Sequence, residues 1–147
     1  MENTSKNNYP KTCVLSVTAD VKDGQNYVSD VYFTSPFKIM KPFHINKHYM
    51  TVMMQTASAG ILKGDTQELN FKVCDNAAME LTAQSYEKLH KMDGGSARRD
   101  CTIEVGKNAL LKYSPLPTIP FSDSGFDSTI SAELTDDTSK LILMEIL

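Results

Sequence analysis

An all-β fold is predicted, mainly β with one or two short helices, built of layered or solenoid-like antiparallel β-hairpins. Apolar residues recur at every second position through most of the chain. Short Asn, Asp and Gly turns separate the alternating stretches. The turns at Asn76, Asn108 and Asp136 lie 32 and 28 residues apart. Period two sends one set of side chains to a core and the other to water. A turn recurring at about 30 residues suggests stacked units. An ordinary sandwich is the alternative, because hairpins resemble one another.

In chain order, Cys13, Leu15, Val17 and Ala19 alternate with Ser16, Thr18 and Asp20. Lys22-Asp23-Gly24 then signals a hairpin, since Gly accepts positive φ, and Tyr27–Thr34 is the return strand. Pro36 and Pro42 bracket a segment unfit for a helix or a central strand. Strand character resumes over Tyr49–Ser58. Leu69, Phe71 and Val73 alternate before Asn76; Met79, Leu81 and Ala83 alternate after it. Ser85–Met92 has helical character, ended by Gly94-Gly95. Cys101, Ile103 and Val105 precede the Asn108 turn and Ala109–Tyr113 follows. Ile130, Ala132 and Leu134 precede Asp136-Asp137. The last stretch, Leu141–Leu147, is apolar on both faces and predicts self-association through the terminal strand.

The chain has 147 residues, enough for a single domain over 1–147. Hydrophobic residues at 41% and charged residues at 22% place it among globular proteins. The polar segment 1–11 is predicted to be disordered. A net charge of −3 argues against a protein that coats nucleic acid. No apolar run approaches the ~20 residues of a membrane helix, and the polar N-terminus is not a signal peptide. Cys13, Cys74 and Cys101 are odd in number and lack Cys-x-x-Cys spacing, so buried thiols in a reducing cytoplasm fit better than a disulfide framework or a zinc ribbon.

Several motifs could carry chemistry. Gly60-Ile-Leu-Lys-Gly64-Asp65 is a tight turn, or it holds Asp65 in a polar site. Thr82, Gln84 and Tyr86 share one strand face, which is solvated or lines a polar cavity. Lys38, Lys41, His44, Lys47 and His48 form one basic stretch, and Lys88, His90, Lys91, Arg98 and Arg99 another. Each is a soluble surface or a dock for an acidic partner. His44 and His48 would share a helix face and are weak nickel or zinc candidates. Pro115 and Pro117, within Ser114–Phe121, make a stiff extended strip, a linker or a docking surface. No nucleophile set or acid–base pair of carboxylates emerges.

Four stretches in order resemble the UreD family of urease accessory proteins, called UreH in some organisms. They are Ser35–Phe43, Ala59–Asp65, Leu81–Lys88 and Ala109–Phe121. Ala59 stands where the family usually has Gly. The resemblance covers the N-terminal part of a longer family chain, so the chain is expected to be truncated at its C-terminal strand. It implies a cytoplasmic, non-enzymatic scaffold or chaperone that binds urease apoprotein and the accessory proteins F and G during nickel insertion. It also implies a route for transient nickel, with no tightly bound cofactor. Asp65, Thr82, Gln84 and Ser85 would lie along that route. Gly60, Gly64, Lys88, Pro115 and Pro117 would serve the channel or partner binding. Hard oxygen ligands hold a divalent ion weakly enough to pass it on. The alternatives are a generic β-sheet protein-binding module, or a small hydrolytic enzyme with its site near Asp65.

Overall fold

The computed structural model describes residues 12–147; the segment 1–11, expected to be disordered, lies outside them. The described residues form strands and connections, with no helix among them. The strands are β1 (Thr12–Lys22), β2 (Gln25–Phe33), β3 (Phe37–Ile39), β4 (Met50–Thr56), β5 (Thr66–Val73) and β6 (Ala78–Ala83). They continue as β7 (Glu87–Leu89), β8 (Ala97–Val105), β9 (Leu110–Ser114), β10 (Thr118–Pro120), β11 (Phe126–Leu134) and β12 (Lys140–Leu143). The first sheet runs β11-β8-β5-β1-β2 and the second β12-β9-β6-β4-β3. A short third sheet pairs β7 with β10.

This order is a three-faced coil. The chain visits the first, second and third faces through β5, β6 and β7, then again through β8, β9 and β10. Equivalent strands stack in parallel: Thr66 lies opposite Arg98, and Arg98 opposite Asp127. The expected antiparallel hairpins are therefore corrected to parallel rungs. Alternation fixes which side chains point inward, but not which strand lies alongside. Asn76 and Asn108 are corners between sheets, held at φ of 63° and 51°. The Asn108 side-chain amide donates to the Asn76 side-chain oxygen across the stack at 3.1 Å. Among the described strands, antiparallel pairing joins β1 to β2 and β3 to β4 at the first end, and an antiparallel bridge also links Phe43 to Thr51.

The helix expected over Ser85–Met92 is also corrected: Glu87–Leu89 is a strand of the third face. Three residues are too few to show a period, and parallel pairing with Thr118–Pro120 decides their conformation.

Inward residues from the two large sheets make the main core. Leu15, Val17, Phe71, Ile103, Val52, Leu81 and Leu111 are all but inaccessible. The Phe71 and Tyr113 rings meet across the gap with centroids 5.1 Å apart. Each large buried apolar side chain stabilises by about 1.5–3 kcal/mol. Behind the third face a second, smaller cluster packs Ile61, Leu89, Met92 and Ala97.

Candidate functional site

The two apolar clusters are divided by a polar seam. On β8 the inward positions are Ala97 in the small cluster, Arg99, and then Cys101 in the main core. On the neighbouring β5, Gln67 occupies the matching inward place, in register with Arg99. From the third face Glu87 points at both. The Arg99 guanidinium donates to Gln67 Oε1 from Nε at 2.8 Å and from Nη2 at 2.6 Å. Nη2 also pairs with the Glu87 carboxylate. The Gln67 amide closes the triangle on Glu87 at 3.3 Å. Phe126 covers the guanidinium, whose carbon stands 5.2 Å from the ring centroid.

Arg99 is 8% exposed. Burial alone would push its pKa down; the Glu87 carboxylate, with Glu145 assisting, outweighs that and holds it above the ordinary arginine value. A buried ion pair survives only when its hydrogen-bonding capacity is met, because each desolvated charge costs several kcal/mol. The triangle meets that demand. Burial also pushes the neighbouring Cys101 thiol up to about 12 and raises the Tyr113 phenol.

Glu87 stands where two cavities meet. Outside is an open pocket of about 350 Å³, lined by Thr56, Ser58, Gly60, Ser85, Tyr86, Glu87 and Lys88 among others. Inside is a narrow cavity of about 30 Å³, bounded by Glu87, Arg99, Tyr113 and Thr118 and otherwise largely by apolar side chains such as Phe37, Met54 and Leu69, with Pro115 beside them. That is room for about one water molecule. Thr56, Ser85 and Glu87 line both cavities and form the neck between them. Their side chains carry two hydroxyls and one carboxylate, which are hard oxygen donors. A larger groove of about 550 Å³, with Lys22, Tyr27, Lys41 and His44 on its wall, lies beside the β1–β2 turn.

The close packing of coils shapes this pocket. Ile61 bridges Leu89 in parallel, so the glycine motif supplies the first rung of the third face. Gly60 has φ of 140°, and a Cβ there would come within 2.5 Å of the Lys88 carbonyl oxygen. Only glycine lets the rungs approach so closely. The His90 ring bonds the Ala59 carbonyl at 2.9 Å and fastens the same contact.

Of the residues singled out from sequence, Gly60, Ser85 and Lys88 gather on the outer pocket, and Pro115 joins Ser85 on the inner cavity. Gly64, Asp65, Thr82, Gln84 and Pro117 line neither cavity. Gly64, at φ of 82°, makes a turn. The Asp65 carboxylate accepts the Leu62 amide at 2.9 Å, and its carbonyl accepts the Arg98 amide at the same distance. Thr82 donates to the Ser114 carbonyl at 3.0 Å. Gln84 is exposed and bonds Gln55. Pro117 sits half-buried in the connection between β9 and β10. His44 lies in irregular chain and His48 in a bend, so the helix face assumed for them is absent. His44 Nε2 bonds the Asn26 carbonyl at 3.0 Å. No group of three or more His, Cys, Asp or Glu suited to a metal ion occurs among the described residues.

Sequence reading missed Gln67, Glu87 and Arg99 as a cluster. The signal was an inward β8 position occupied by a cation, masked by its charged neighbours Arg98 and Asp100.

Comparison with known proteins identifies the family. A family model described as UreD urease accessory protein matches residues 11–147. The chain is 38% identical over 143 residues to urease accessory protein UreD of Acetivibrio thermocellus, covering 97% of this chain and 54% of that protein. It is 37% identical over 125 residues to urease accessory protein UreH of Helicobacter pylori strain P12, covering 85% and 47%. UreD of Actinobacillus pleuropneumoniae is 34% identical over 138 residues, covering 91% and 51%. The chain thus spans about half the length of these curated relatives. With the match running from residue 11 to residue 147 and identities above one third, the chain belongs to the UreD family of urease accessory proteins.

Proposed function

We propose that this chain acts as a non-catalytic scaffold in urease maturation. It assists nickel insertion into apo-urease in the cytoplasm, together with the accessory proteins F and G. Family membership over residues 11–147 is the observation that carries this reading. The coil supports it, because Glu87, the carboxylate shared by the two cavities, stands on a parallel rung. Weak oxygen ligands suit an ion in transit, which must leave as readily as it enters. No described helix is long and apolar enough to cross a membrane.

The test is recovery of partners. The tagged chain is co-expressed with urease subunits and with accessory proteins F and G, and purified through its tag. Urease apoprotein eluting with the chain is the expected result. Elution of the chain alone, still folded by circular dichroism, overturns the reading.

A further inference from the structure

At the neck, where the outer pocket and the inner cavity share their lining, the single carboxylate is already engaged. Glu87 faces outward to the pocket with Thr56 and Ser85, and inward to Arg99. A divalent cation arriving through the pocket meets the Thr56 and Ser85 hydroxyls first. It then meets a carboxylate whose charge is cancelled by a guanidinium. Arg99 cannot lose its proton to make way, since arginine stays charged in proteins. Gln67 on one side and the Phe126 ring on the other restrain its swing.

We infer that Arg99 is an electrostatic gate: it occupies Glu87 and closes the neck to divalent cations until the pair parts, when Glu87 becomes an oxygen ligand. This rests on the reading that an ion passes through the protein. A like charge a few ångströms behind the carboxylate opposes a cation there. Glu145 offers Arg99 a second anionic partner: its charge also raises the Arg99 pKa, and it lies just before Ile146, whose carbonyl accepts the Thr118 amide at the cavity wall. A guanidinium drawn toward Glu145 would free Glu87.

The experiment is equilibrium dialysis of the folded chain against nickel chloride. Arg99→Gln is expected to bind nickel about tenfold more tightly than the unaltered chain. Arg99→Lys, which keeps the charge, is expected to stay at the unaltered level. Adding Glu87→Gln to Arg99→Gln is expected to abolish the gain. Arg99→Gln binding no more than the unaltered chain overturns the gate, as does a gain that survives Glu87→Gln. If Arg99→Gln fails to fold, Arg99→Met, which replaces the buried cation with an apolar chain of similar length, is dialysed in its place: tighter nickel binding that Glu87→Gln removes supports the gate, and no gain overturns it. Failure here leaves partner recovery unaffected, so the scaffold reading is judged separately.

Discussion

The two ends of the coil present the same problem and handle it differently. Parallel stacking leaves an edge strand at each end with unpaired backbone groups. At the first end the edges are β2 and β3, both antiparallel to their neighbours. β2 carries a bulge: Thr18 pairs with Asp30 and Ala19 with Val28, leaving Ser29 extra. β3 has only three residues. A bulge and a short strand both discourage a further strand from adding. At the last end, β11 is nine residues long and pairs with β8 in unbroken register. Beside it Ile142, Leu143, Met144 and Ile146 are exposed. Both ends show apolar side chains, since Tyr32 and Phe33 are exposed on β2. Regularity of the backbone, rather than apolar surface, distinguishes the end that invites a partner.

The largest effect sharpens the contrast between a central rung and an end. Leu111→Ala removes a fully buried side chain from β9 and is expected to cost about 2–5 kcal/mol in urea unfolding, whereas Ile142→Ala on exposed β12 should stay within about 0.5 kcal/mol. Next comes the first end. Asn26 is buried, and its side-chain oxygen accepts the Ala78 amide at 2.8 Å, tying the β1–β2 hairpin to β6. Asn26→Ala leaves that amide without its acceptor and is expected to cost about 1–3 kcal/mol by the same measurement.

Two cysteines, each one strand in from an edge, compare the ends directly. Cys13 lies on β1 beside β2, and Cys101 on β8 beside β11; both are buried. If the last coil opens more readily, native-state alkylation at pH 8 labels Cys101 before Cys13, read by mass spectrometry. Equal rates would break the comparison. The sign for Cys101 is clear. Burial raises its pKa from 9.0 to about 12, so its contribution to stability is whole below pH 9 and is lost as pH rises toward 12. Thermal midpoints are expected to fall over that alkaline range. The smallest change in stability goes with the clearest change in assembly. Leu143→Lys should leave the melting point nearly unaltered but abolish concentration-dependent association in sedimentation. Tyr32→Lys at the first end should leave association as it was. The reverse pattern would show that β2 is the sticky edge.

Much of this fold was legible locally. The Asp23-Gly24 turn has positive φ at both residues, as its dipeptide signals. The corners at Asn76 and Asn108 were visible because asparagine tolerates that conformation. Pairing direction was not visible, because the partner of each rung lies about 30 residues away and alternation carries no label for it. Gly60, Ser85 and Lys88 were singled out through family motifs; the structure sets them around the outer pocket and gives a packing reason for the glycine. Glu87 and Arg99 were hidden for opposite reasons. One sits in a strand too short to have a period, and the other looks like surface charge among charged neighbours.

The register of the rungs carries a consequence for how such a protein can grow. Thr66 faces Arg98, and Leu110 faces Lys140, so successive turns differ in length by only two or three residues. Each turn touches only the turn above and the turn below. A duplicated segment of that size could be spliced in beyond β12 as one more storey, lengthening the tower while the Arg99 floor keeps its walls unchanged.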